Sequence, residues 1–169
     1  MDTIAKVWPK KTERSGMVRP YTKTEQTKLR IAGRKLMAIR LDRATGEFVK
    51  RRAMKLHKGC QCCALMNIPG VTRMVVIRRW QDLDWAHFKS AGKHSVRWDE
   101  ANATGLCRYC HRFLDEHKEI KEEFFRKLMG DEEIDELIRR AETVKLSAEI
   151  DYPVLELYLK GKVKELRDY

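Results

Sequence analysis

Four of the five cysteines are spaced to bind a metal. Cys60 and Cys63 form one Cys-x2-Cys pair and Cys107 and Cys110 a second, with 43 residues between the pairs. A two-residue gap lets two sulfurs of one turn face the same ion, and two such pairs complete the tetrahedral thiolate set of a structural zinc. Cys62 can replace Cys60 or Cys63 as a ligand, but only the 60/63 pair has the gap of a knuckle, so Cys62 is expected as a free thiol. Enclosed by the pairs are His87 and Asn102, and directly after Cys110 comes His111. Imidazole can act as a general base near neutral pH. Phosphodiester hydrolysis needs a water activated on one side and the leaving oxygen neutralised on the other, and a histidine opposite a divalent cation can supply both. His111, held by its neighbouring knuckle, is a candidate ligand for that cation, or else stands in for a cysteine at the zinc. The Asn102 amide can clamp the loop that presents His87, or serve as an ordinary turn asparagine.

The elements that must position these residues are readable in part. Thr24 can cap a helix reaching about Leu41, with Leu29, Ala32, Leu36 and Ile39 at helical spacing, and Ala44-Thr-Gly46-Glu has the composition of a turn. Asn67-Ile-Pro-Gly70 is a second turn. Residues 71–80, rich in β-branched side chains, predict a strand, and Gln81-Asp82 turns it into another at 83–88, with Leu83, Trp85 and His87 on one face. Residues 89–104 read as a polar loop. From Cys107 the apolar residues Phe113, Leu114, Ile120, Phe124, Phe125 and Leu128 recur near 3.6, and Gly130 is a natural helix end. Asp131 can cap a further helix through Val144, and Pro153 sits in the first turn of a last one, 153–167. The expected class is α+β: a small strand-pair-and-helix core with a four-cysteine zinc site, flanked by N- and C-terminal helices. The expected divisions are a basic arm and helix over 1–57, the core over 58–130 and a helical extension over 131–169. Residues 1–22, with Pro9, Pro20 and a Ser-Gly pair, read as an extended or disordered arm.

The net charge of +11 is unevenly distributed. Residues 1–58 carry 17 Lys/Arg against 5 Asp/Glu, and residues 59–169 carry 19 against 20. A basic first third on a neutral remainder is the footprint of a polyanion partner. Lys50, Arg51, Arg52, Lys55 and Lys58 run straight into the first knuckle and are the candidates for phosphate contacts, which position a protein without reading sequence. Trp80 and Trp98 read as core rather than as stacking platforms. The acidic residues Glu122, Glu123, Asp131, Glu132 and Glu133 fit a solvated helix face or a surface for a protein partner. No stretch is long and apolar enough to span a membrane, and the first residues lack a signal-peptide core. A cytoplasmic location is expected, where paired cysteines serve metals rather than disulfides.

Cys60-x2-Cys63, Trp85-Ala-His87-Phe, Arg97-Trp-Asp-Glu-Ala-Asn102 and Leu106-Cys-Arg-Tyr-Cys-His111, in this order, resemble the HNH endonuclease family, the ββα-metal nucleases, over roughly residues 58–118. The enclosing cysteine quartet is similar to that of many phage and bacterial members. The resemblance implies a DNA nuclease that nicks one strand at a time. In it His87 is the general base, Asn102 orients the loop, and His111 is a ligand of a divalent metal such as Mg²⁺ or Mn²⁺, beside a structural Zn²⁺. The chain is also similar to the lambdoid phage recombination endonucleases, which act on branched DNA, so a phage or recombination partner is a further expectation. Many members have a second metal ligand just before the first histidine, where this chain has Ala86. Asp84, Asp115 and His117 are the residues that can compensate, Asp115 one helical turn after His111, and His94 in the loop is another. Ala86 also keeps open a non-catalytic, zinc-stapled DNA-binding accessory of recombination or packaging.

Overall fold

The computed structural model describes residues 11–12, 18–19, 21–70, 76–143 and 150–166. They fall into two compact units, Met1–Met37 and Ala38–Tyr169. In the first, β1 (Lys11–Thr12) and β2 (Val18–Arg19) form a short antiparallel ladder. The remainder of the expected extended arm lies outside the described residues.

The helix expected to end near Leu41 is instead a single 35-residue helix, α1 (Lys23–His57). Its start is a capping box two residues earlier than Thr24: Thr22 Oγ1 accepts from the Glu25 N–H at 3.3 Å, and Glu25 Oε2 accepts from the Thr22 N–H at 3.0 Å. The predicted turn at Ala44-Thr-Gly46-Glu is helix. Gly46 is there for close approach: a Cβ would lie 3.3 Å from the Trp85 ring. After α1, Lys58 takes the left-handed conformation (φ 57°) and the chain enters α2 (Gln61–Leu65).

The strand pair exists, but with a different partner. Residues 71–75 of the expected first strand lie outside the described residues, 76–79 are irregular, and Trp80–Asp82 is a 3-10 turn. β3 (Asp84–His87) pairs antiparallel with β4 (Ala103–Leu106), in register Asp84↔Leu106 through His87↔Ala103. The predicted loop 89–104 therefore ends in a strand. Ala-Thr-Gly-Leu is buried at every position, so it shows no alternation to read. Its small residues answer to α1: a Cβ on Gly105 would fall 2.6 Å from Ala53 Cβ. Trp85 and His87 share a face, as predicted, with ring centroids 4.3 Å apart. Leu83 precedes the strand and packs in the cluster with Ala86 and Leu106.

Helices α3 (Arg108–Glu116) and α4 (Lys118–Met129) replace the single helix suggested by the periodicity, the break falling at His117 (φ −120°, ψ 83°). Gly130, at φ 92°, ends α4 and stands at the cap of α5 (Asp131–Glu142), so that Asp131 is the first helical residue rather than the cap. Asp151 caps α6 (Tyr152–Lys164), accepting from Val154 N–H, with Pro153 in its first turn. Of the expected helix ends, Val144 and residue 167 lie outside the described residues.

The flanking helices share the core of the knuckles. Phe124, Phe125, Ile134 and Leu137 pack in one cluster with Leu83, Leu106 and four of the five cysteines. A second cluster joins Phe48 and Val49 of α1 to Ala103 and Leu166. Buried Gln61 links α2 to β4, its Oε1 accepting from Thr104 Oγ1–H and, at 3.2 Å, from Gly105 N–H. No described helix is long and apolar enough to cross a membrane.

Candidate metal centre and cleft

Each knuckle opens a helix in the same way. Cys60 and Cys107 occupy the cap positions of α2 and α3 in extended conformation, and Cys63 and Cys110 follow three residues later, inside the first turn. The four sulfurs lie within 4.8 Å of one another, with Cys63 to Cys110 at 3.5 Å and Cys63 to Cys107 at 3.9 Å. A tetrahedral zinc with bonds of about 2.3 Å sets sulfurs about 3.8 Å apart, so the quartet could hold such an ion. Among the described residues it is the one group of three or more possible ligands brought this close. Cys62 is fully buried outside the quartet, its thiol touching Cys110.

The remaining predicted residues gather on the strand pair and α3. Asn102 is buried between β3 and β4 and makes three bonds across the loop: its Nδ2 donates to the carbonyls of Lys89 (3.1 Å) and Val96 (2.9 Å), and its Oδ1 accepts from Lys89 N–H at 2.7 Å. The expected clamp is therefore present. The loop is also tied to α1, where Asp42 accepts from Arg97 Nε and Nη2 (3.0 and 2.8 Å) and from Trp98 Nε1 (2.8 Å). Asn102→Ala removes the acceptor of Lys89 N–H, the donor to the Lys89 carbonyl and one of two donors to the Val96 carbonyl, which keeps Asp99 N–H. It is expected to destabilise the protein by on the order of 3 kcal/mol in chemical denaturation, with zinc content unchanged.

His87 ends β3. One ring nitrogen bonds to the backbone of Arg97, while Nε2 is covered and has no partner. Burial, the largest influence, holds its pKa below the ordinary histidine value. The ring is therefore neutral at pH 7, with a free lone pair, as a general base requires.

His111 is held from both sides. Its Nδ1 lies 3.1 Å from Asp84 Oδ2, which also accepts from Arg108 at 3.3 Å, and its Nε2 lies 3.3 Å from Asp115 Oδ2 on the same helix face. Asp84 and Asp115 thus sit at opposite ring nitrogens and cannot both join His111 on one ion. A cleft of about 530 Å³ separates their roles, because His87, His111, Asp115, Lys118 and Lys121 line it and Asp84 does not. His111 Nε2 and Asp115 therefore fit an ion in the cleft, and Asp84 fits the carboxylate that orients a ligating imidazole. His117 stacks on Phe113 at 4.1 Å and bonds to its carbonyl, and His94 packs beside Trp98. Neither lines the cleft. Ala86 is 1% exposed in the main core, so its side chain faces packing rather than the cleft.

The basic run divides. Arg52 donates to the carbonyls of Glu100 and Ala103 (3.0 and 2.8 Å), and Arg51 bonds to Glu47 and Leu166 and lies over Trp80. These two guanidiniums pin α1 to the sheet and the C-terminal end. Lys55 and Lys58 are exposed and Lys50 is half-buried. Lys118 and Lys121, which line the cleft, were not foreseen; lysines in a charged helical stretch carry no periodic signal.

No protein-family model, curated protein or solved structure matches the chain.

Proposed function

We propose that this protein is a metal-dependent endonuclease of the HNH type that hydrolyses DNA phosphodiesters by nicking. The observation that carries the reading is the shared cleft: a half-buried, neutral His87 with an unpaired ring nitrogen, and the His111–Asp115 pair, on a strand pair and helix that carry the four-cysteine cluster. His87 draws the proton from the attacking water. Asn102 fixes the loop that follows His87, and Asp84 holds the His111 ring so that Nε2 faces the cleft. A divalent ion such as Mg²⁺ or Mn²⁺, held by His111 and Asp115, would supply charge stabilisation at the leaving oxygen. The four cysteines are assigned to a structural Zn²⁺. Lys50, Lys55 and Lys58 are assigned to phosphate contacts outside the cleft, Arg51 and Arg52 being engaged within the fold.

A second reading, a non-catalytic zinc-stapled DNA-binding protein, draws on Ala86 and on the covering of His87 Nε2. Supercoiled plasmid separates the two. After chelation and return of Mg²⁺ or Mn²⁺, the protein is expected to convert it to the open circle, and His111→Ala to lose that conversion while keeping its zinc. A zinc-bearing, folded protein that binds the plasmid and nicks it with neither ion would establish the second reading.

A further inference from the structure

Lys121 lines the cleft. It belongs to the first turn of α4, its N–H bonding to the His117 carbonyl at 2.9 Å. Its Nζ is 2.7 Å from Oδ1 of Asp115, whose other oxygen faces His111 Nε2, and the lysine side chain is only 15% exposed. The same ammonium is near enough to His87 to disfavour that ring's protonation. Glu122, the other acid on this wall, is bonded to Arg126 at 2.9 Å. Asp115 thus neutralises a largely buried cation with the carboxylate that the nuclease reading assigns to a metal.

We infer that Lys121 is an exchangeable cation: it neutralises Asp115 in the metal-free protein and, once a divalent ion takes that carboxylate, turns to an anionic oxygen of the phosphodiester. The inference rests on the nuclease reading of the cleft. One carboxylate oxygen pair cannot satisfy an ammonium and a divalent ion equally, because the two cations repel at a few ångströms. The displaced ammonium keeps a flexible four-carbon stem and three donors, a form suited to a phosphate oxygen. Metal and DNA binding are thereby coupled through one side chain.

The test uses the zinc-loaded full chain, with Lys121→Met and Lys121→Gln as neutral variants and Lys121→Arg as the charge-retaining one. Mn²⁺ binding is followed by the electron paramagnetic resonance of the free ion. Duplex binding is followed by fluorescence anisotropy in a His87→Ala background, with and without Mn²⁺. The neutral variants are expected to bind Mn²⁺ about tenfold more tightly and to lose a gain of about tenfold that Mn²⁺ gives to DNA affinity, the order expected for unit charges at a partly solvated site. Lys121→Arg retains the Mn²⁺-dependent gain. A merely structural lysine would not move the two affinities in opposite directions. Unchanged Mn²⁺ affinity in the neutral variants, with His111→Ala losing the ion, overturns the inference and leaves the nuclease reading intact. No Mn²⁺ binding by the unsubstituted chain overturns both.

Discussion

Cys110→Ser is expected to abolish zinc binding and cooperative folding together. The unsubstituted protein should copurify with about one equivalent of zinc, and the variant with almost none. Structural zinc sites of this type contribute apparent free energies of about 10 kcal/mol or more, comparable to the whole stability of a domain of this size. The geometry explains why one sulfur matters so much. Cys60 and Cys107 cap two different helices, and Cys63 and Cys110 lie in their first turns. The ion would therefore tie α2, which follows α1, to α3, which carries the cleft. Cys110 is fully buried among Cys63, Cys107 and Cys62, so a serine hydroxyl there loses the ligand and gains no water. Cys62→Ser is the matched control: an equally buried thiol outside the quartet, expected to lose some packing but keep its zinc. Metal analysis and thermal unfolding of both variants decide the assignment. A Cys110→Ser protein with full zinc and an unshifted transition would remove the quartet from the metal, and loss of zinc from Cys62→Ser would show that the wrong four cysteines had been grouped.

What could be read directly from the sequence follows from which residues answer to local chemistry. The clustering of four cysteines was legible because a metal site would fix both residue type and gap. Asp115 was legible because a helix places i and i+4 on one face, and the observed 3.3 Å contact with His111 is that rule in operation. Misreadings arose where a residue answers to a distant neighbour. Gly46 has the composition of a turn, yet it lies inside α1 because the Trp85 ring rests on it. Thr104 looks like loop, yet it joins Gly105 in a strand buried on both faces, and Gly105 lacks a Cβ because Ala53 on α1 occupies that space. Nothing near residue 104 in the chain announces α1. The basic run at 50–58 has the charge of a phosphate-binding surface, but Arg51 faces a carbonyl 115 positions away and Arg52 faces carbonyls 48 and 51 positions away. Charge is a property of the sequence; which charges stay outward is a property of the packing. Lys121 is the reverse case, a cation in an ordinary charged helical segment that the break at His117 directs into the cleft.

His87→Ala is expected to reduce metal-dependent nicking by about 10²- to 10⁴-fold while leaving duplex affinity nearly unchanged, the range for loss of a positioned general base. Burial separates His87 from a surface histidine and gives the prediction a pH signature. Because burial holds the folded pKa down, the neutral, proton-accepting ring persists below pH 6.5, the ordinary histidine value. The acidic limb of kcat/KM should therefore fall below pH 6.5, and residual activity of His87→Ala should show no limb there. Stability carries the same sign. The unfolded chain protonates this histidine at a higher pH than the folded chain does, so its contribution is complete above pH 6.5 and is lost as the pH falls from there toward the folded value. Unfolding midpoints of the unsubstituted protein should decline more steeply below pH 6.5 than those of His87→Ala. An acidic limb at or above 6.5, or one that survives His87→Ala, would assign the base elsewhere. His111 is a poor substitute in that role, since both its ring nitrogens already face carboxylates. The unpaired Nε2 of His87 is what distinguishes the two histidines: one ring is held by acids on both sides and suits a cation, while the other keeps a lone pair beside a cleft and suits a proton.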